Sequence, residues 1–143
     1  MFLVLHHDLQ QSLKQFTGTD NYYKHLLGLH YTDGIQYLAE KAQCYWLLDV
    51  IASHQTKRLL ADEMLRDLWL RHASYQLWLL VVGNDHEFIK PKYQAVVTCW
   101  QDTPNAGIKP AVRQDIEFTD FPLSEIKLYL CHGALMLPSE YES

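Results

Sequence analysis

Three Thr-Asp pairs, Thr19-Asp20, Thr32-Asp33 and Thr119-Asp120, carry the residue types best suited to general acid–base chemistry. A fourth acid, Asp49, stands between Leu48 and Val50 in an apolar run. If Asp33, Asp49 and Asp120 converged in one pocket they could serve a small hydrolase or a nucleic-acid-modifying enzyme. Each Thr-Asp pair, however, sits where a cap or a turn is wanted, and both side chain types satisfy free backbone N–H groups at such points. The structural role is preferred for all three pairs. An acid inside an apolar helix must be paired or hydrogen-bonded, so Asp49 reads as a buried structural polar anchor. No catalytic residue is expected.

Other chemistries lack their spacing. The six glycines form no GxGxxG and no GxxxxGK loop, and no GxSxG elbow exposes a serine. Eight His is a high count, but His6 and His7 are adjacent and His25 and His30 are five apart. One helix face needs a spacing of three or four. Neither a metal nor another cofactor is expected. Cys44, Cys99 and Cys131 are odd in number and at no metal-ligand spacing, which predicts buried thiols of a cytoplasmic protein.

The elements that must position these residues fall into two halves. Residues ~8–70 read as helical and ~74–138 as strands. Asp8 to Gln15 is amphipathic and stopped by Gly18; Tyr22 to Leu27 reads as a short helix capped by Thr19 or Asp20 and stopped by Gly28. Asp33 followed by Gln36 predicts a capping box that opens a helix with Ile35, Leu38, Ala39 and Ala42 on one face. Cys44 to Ala52 is apolar nearly all round, which predicts a helix covered on several sides. Thr56 can cap a last helix over Lys57 to Leu70. Tyr75 to Val82 is apolar on both faces and predicts a central strand. Ala95 to Trp100 and Val112 to Phe118 follow, the second with Val112, Ile116 and Phe118 inward and Arg113, Asp115 and Glu117 outward. Glu125 to Cys131 and Ala134 to Leu137 are joined by His132-Gly133, a two-residue hairpin signal, and Pro138 ends the run. The prediction is an α+β fold of one domain (1–143), N-terminal helices packed on a C-terminal antiparallel five-strand meander.

Composition narrows the function classes. The 143 residues are 48% hydrophobic and 13% aromatic, enough for one well-filled core. The net charge of -5, from 17 acidic against 12 basic residues, has the wrong sign for direct nucleic-acid binding. No apolar run approaches the ~20 residues of a membrane span, and the opening MFLVLHHDLQ is too short an apolar stretch for a signal peptide. Tyr22, Tyr23, Tyr31, Tyr45 and Trp46 cluster early, but only Lys14, Lys24 and Lys41 accompany them before residue 57. Base-stacking platforms come with a basic groove. Core packing is therefore expected for Tyr45 and Trp46, and an exposed protein-binding patch for Tyr22 and Tyr23.

Four blocks of sequence carry a resemblance. They are Phe16-Thr17-Gly18-Thr19-Asp20-Asn21-Tyr22-Tyr23, Tyr31-Thr32-Asp33-Gly34-Ile35-Gln36-Tyr37-Leu38-Ala39-Glu40, Tyr45 to Ser53, and Phe118 to Leu123 together with Leu135 to Tyr141. In these the chain resembles an uncharacterised bacterial family, a domain of unknown function found also on plasmids and phages. The resemblance implies a small intracellular protein tied to mobile elements, with no activity to carry over. The leading expectation is a non-enzymatic protein-binding module, of the kind that inhibits a host defence system such as CRISPR–Cas. Its partner would be a host or mobile-element protein with a basic, nucleic-acid-binding surface, attracted by the negative charge. Tyr22, Tyr23, Tyr31, Asp33, Asp120 and Phe121 are the candidate binding residues. A third expectation is a dimerising module, for which the hairpin Glu125 to Leu137 offers an edge strand; the oligomeric state is left open.

Overall fold

A strand that is apolar on both faces has only one comfortable place, the middle of a sheet covered on both sides. In the computed structural model, which describes residues 2–56, 75–83, 85–101, 103–105 and 107–141, β3 (Tyr75–Val82) takes that place. It pairs antiparallel with β4 (Ala95–Trp100) on one side and β6 (Glu125–Cys131) on the other. Period-2 alternation then divides two cores. Trp78 and Leu80 of β3 share one face with Val97, Cys99 and Leu128, beneath the helices. Leu77, Leu79 and Val81 share the other with Val96 and Trp100, covered by Phe88, Ile89 and Tyr93 from the β3–β4 connection.

The class is α+β, as predicted, but the sheet is larger and wound differently. Its order is β1-β2-β7-β6-β3-β4-β5, with β1 at Tyr22–Lys24, β2 at His30–Thr32, β5 at Val112–Ile116 and β7 at Ala134–Met136. The last five strands are all antiparallel, yet they are no meander: the chain leaves β5 at one edge and returns to the far side of β3 as β6. β6 and β7 are joined by His132-Gly133, both at positive φ (49° and 83°), the conformation a two-residue hairpin requires.

The helix expected over Tyr22 to Leu27 is instead the first arm of a hairpin. Aromatic pairs suit strands, and the His25 N–H donates to the Leu29 carbonyl at 2.8 Å while Gly28 turns the chain at φ 106°. β2 then lies parallel to β7, His30 opposite Ala134 and Tyr31 opposite Leu135. Among the described residues the helices are α1 (Phe2–Lys14), α2 (Asp33–Lys41), α3 (Tyr45–Thr56) and the single turn α4 (Pro138–Tyr141). The helix expected over Lys57 to Leu70 lies outside the described residues. α3 is covered on one side rather than all round: Leu47, Leu48, Ile51 and Ala52 are buried, whereas Tyr45, Asp49 and Ser53 are exposed. β5 stops at Ile116, so Phe118 does not face inward and is 75% exposed. Arg113 and Asp115 are half-buried rather than outward, because the Arg113 guanidinium donates to the Phe88 carbonyl at 2.6 Å and to Asp115 at 2.8 Å.

Among the described residues, the buried side-chain polar atoms other than Arg113 Nε are paired, as burial requires. Gln76, 2% exposed, exchanges amide hydrogen bonds of 3.0 Å with Gln55 and accepts from the Trp78 indole at 2.8 Å, which ties α3 to β3. Among the described residues no helix is long and apolar enough to cross a membrane. The three cysteines are free thiols, and burial pushes Cys44 up to about 12 and raises Cys99 and, less deeply buried, Cys131. Thiolates do the reacting. In the folded protein an aromatic disulfide reagent at about pH 8 should therefore label Cys131 first, and Cys44 and Cys99 only on denaturation. Equal labelling rates, read by mass spectrometry, would contradict this placement.

Candidate functional site

The N-terminus of α2 is where three of the four sequence blocks meet. Thr32, not Asp33, is the N-cap: its backbone is extended (φ −88°, ψ 174°) and its hydroxyl accepts the Ile35 N–H at 3.4 Å. The predicted capping box is therefore out by one residue, and Gln36 has no part in it. The place a capping acid would fill is taken from the far end of the chain. The Glu140 carboxylate, in a residue 8% exposed, accepts the Thr32 hydroxyl at 2.6 Å, the Gly34 N–H at 3.2 Å and the Leu137 N–H at 3.0 Å. A carboxylate at a helix N-terminus also meets the positive end of the helix dipole. Gly34 is what lets it approach: a Cβ there would stand 2.6 Å from Glu140 Oε1 and 2.7 Å from Leu137 Cδ1.

Asp33 follows the cap and faces outward, where it gathers the preceding loop. Its N–H donates to the Thr19 hydroxyl at 2.9 Å, and that hydroxyl donates to the Asn21 carbonyl at 2.6 Å. Its carboxylate accepts the N–H groups of Asp20 (2.9 Å) and Asn21 (3.3 Å), the Asn21 side-chain amide (3.3 Å) and the Tyr23 hydroxyl (3.1 Å). The Asp20 N–H is the largest cause holding the Asp33 carboxyl below its ordinary range; the Asn21, Tyr23 and Thr19 bonds work the same way against partial desolvation. Donation to Asp33 in turn raises Tyr23.

The hairpin meets α2 through Tyr23 and Asp33, and α3 through His25 and Asp49. Tyr23 and Tyr31 stack with ring centroids 5.4 Å apart. Tyr22 lies opposite Thr32 in the pairing, one residue out of step with Tyr23, so it points to the other face of the sheet and is exposed. The predicted Tyr22–Tyr23 patch is thus divided by the pleat, and Tyr23 is half-buried. Tyr45, expected in the core, is 42% exposed and donates to Glu40 at 2.8 Å. At the hairpin tip Leu26 is completely exposed and Leu27 nearly half, while Leu29 is buried.

Asp49 is not a buried anchor. Its side chain is 70% exposed and pairs with His25 Nε2 at 2.7 Å. The Leu27 N–H donates to His25 Nδ1 at 3.0 Å, so the neutral ring carries its proton on Nε2 and donates it to Asp49. The pair docks the hairpin tip onto α3, a modest contribution for an exposed pair. Helical periodicity explains the misreading: in α3 position 49 faces away from the side that buries Leu47, Leu48, Ile51 and Ala52.

Phe121, expected at an exposed binding patch, is 5% exposed and packs in the core. Asp120 is exposed beside it, and the turn there is made by Thr119, whose hydroxyl accepts the Phe121 N–H at 3.1 Å. Asp33, Asp49 and Asp120 share no hydrogen-bond partner among the described residues. Neither of two surface cavities, one beside Leu13 and Ile126 and one beside Tyr37 and Pro122, is lined by any of them. Among the described residues no three His, Cys, Asp or Glu side chains are grouped to hold a metal ion. Sequence reasoning missed Glu140, His25 and the two leucines. Only Gly34, a glycine at the second position of α2, signalled that something must approach the helix closely.

The profile of the family of unknown function DUF6876 matches residues 7–141, nearly the whole chain. The chain belongs to that family. No curated protein and no solved structure matches it. The matched span takes in both ends of the Glu140 contact and the whole Asp33 loop of this DUF6876 protein.

Glu140→Ala should cost about 3 kcal/mol or more in urea unfolding, because three buried donors lose one acceptor. Gly34→Ala should cost about 1–3 kcal/mol through overpacking. Since the two changes act at one contact, the double variant should lose less than the sum, and strict additivity would show that they are uncoupled. For Asp33, the folded carboxyl lies below its unfolded value, so its contribution is complete above the ordinary Asp range near pH ~4 and is lost as pH falls through the folded value. The melting temperature of wild type should fall more steeply on acidification than that of Asp33→Asn; parallel curves would contradict the network.

Proposed function

We propose that this DUF6876 protein is a non-enzymatic protein-binding module whose contact surface is the 22–32 hairpin with the outer sides of α2 and α3. The observation that carries this is the hairpin tip. Leu26 and Leu27 stand exposed on a loop whose backbone is closed by the His25–Leu29 and Gly28–His25 hydrogen bonds and docked by Asp49. Two leucines held outward on an ordered tip form an anchor that needs little further ordering on binding. Tyr31 and Tyr45 add amphipathic rings, of the kind interfaces favour.

Charge suggests the partner. Asp20, Asp33, Glu40 and Asp49 outnumber Lys24 and Lys41 over residues 19–56, and the chain carries -5 overall. Such a field accelerates encounter with a basic surface and repels nucleic acid itself. A host or mobile-element protein that handles nucleic acid is the partner class this reading favours. Inhibition of a host defence complex such as CRISPR–Cas is the form it takes if the chain is carried by a phage or plasmid.

The test compares wild type with Leu26→Ser/Leu27→Ser and with Glu40→Lys/Asp49→Lys as baits in a bacterial lysate at low salt. Wild type should retain a basic protein, the leucine variant should lose it, and the charge variant should retain it more weakly and with less dependence on salt. Identical retention by all three baits, or none by wild type, would overturn the proposal.

A further inference from the structure

The sheet has an edge in its interior. β6 pairs with β3 along its whole length, from Glu125 opposite Val81 to Cys131 opposite Tyr75. On its other side β7 covers only Tyr129 to Cys131. Among the described residues nothing pairs with that side of Glu125 to Leu128. Cys131 and Ala134 flank the two-residue turn as a hydrogen-bonded pair, so odd-numbered residues of β6 direct N–H and C=O toward β7 and even-numbered ones toward β3. The Val82 N–H bond to the Ser124 carbonyl at 2.8 Å keeps that phase. The backbone groups of Glu125 and Lys127 therefore face the open side. A cavity of about 470 Å³ lies there, with Leu13, Leu123, Ile126 and Leu137 as its apolar lining and Lys14 at its rim.

From this edge we infer that a second copy of the chain adds to it, β6 against β6, making one continuous sheet across a twofold axis. The argument is charge register. In an antiparallel ladder the best partner for Glu125-Ile126-Lys127 places an acid opposite Lys127, an apolar residue opposite Ile126 and a base opposite Glu125. Read in its own direction that partner is acid-apolar-base, which is Glu125-Ile126-Lys127 itself. Centred on Ile126, each Glu125 faces Lys127 of the second copy, within the range where opposite charges across a ladder attract. The open backbone groups of both copies are paired by the same register, and Ile126 of the second copy falls on the same face as Ile126, beside the apolar lining of the cavity. A strand pairing of this length is short, so the dimer is a weak one at moderate concentration.

This inference is independent of the hairpin surface, since no residue tested lies there. Light scattering after size exclusion and sedimentation equilibrium, run up to about 1 mM, should show wild type passing from monomer to dimer. Lys127→Glu and Glu125→Lys, both at exposed positions, should each weaken self-association at least tenfold by placing like charges opposite one another. An equimolar mixture of the two variants should recover a dimer, now mixed, and the double exchange Glu125→Lys/Lys127→Glu should recover self-association. Wild type monomeric throughout, single variants that associate like wild type, or a mixture that stays monomeric would each overturn the inference; the first would leave the edge to a strand from another protein.

Discussion

Glu140 brings a carboxylate to the buried N-terminus of α2, a placement that is unfavourable unless the lost hydration is replaced. Three donors replace it: the Thr32 hydroxyl and the N–H groups of Gly34 and Leu137. Two of these are on α2 or its cap, and the third is on the loop that starts α4. The contact spans 108 residues of chain between Glu140 and Thr32, so it holds the C-terminal turn and the first half of the fold in one arrangement. It also explains why the cap is Thr and the second helical residue is Gly. Thr can donate to the carboxylate while accepting from Ile35, and Gly alone leaves space for the carboxylate to reach the backbone.

Three consecutive residues thereby do three different things. Thr32 turns inward to Glu140, Asp33 turns outward to the 19–23 loop, and Gly34 offers its N–H to the same buried acid. Thr32 is also the last residue of β2 and Tyr31 is opposite Tyr23, so the cap sets the position of the hairpin as well as of the helix. Asp33 then ties that hairpin to the preceding loop through Tyr23, and Asp49 ties its tip to α3 through His25. The exposed leucines are held out by these polar contacts together with Leu29, which is buried in the core beside them.

What was legible in the sequence follows from how local its cause was. β3 and β4 announce themselves as short apolar runs buried on both faces, β6 through period-2 alternation, and His132-Gly133 through its turn chemistry. β1 and β2 do not. Each has three residues, too few for a period to show, and they exist because β2 finds β7 from the opposite end of the chain. The same distance hides Glu140, whose partners at the start of α2 are more than 100 residues away, and makes Asp33, next to the true cap, look like the cap. Asp49 was misread for another reason. An apolar run suggests burial all round, but twelve residues of α3 turn far enough to expose one side, and position 49 is on it.

The short β7 links these features. A longer β7 would have covered Glu125 to Leu128 and closed the sheet, but Met136 is its last residue and Pro138 begins α4. Proline has no N–H for a ladder and suits the first position of a helix. Turning there is what brings Glu140, two residues on, within reach of Thr32 and Gly34. The three residues that remain in β7 pair β6 on one side and carry β2, and through it the hairpin, on the other. The half of β6 they do not reach is left with its backbone facing the cavity. The open sheet edge and the approach of the buried carboxylate to α2 are thus two consequences of one early turn.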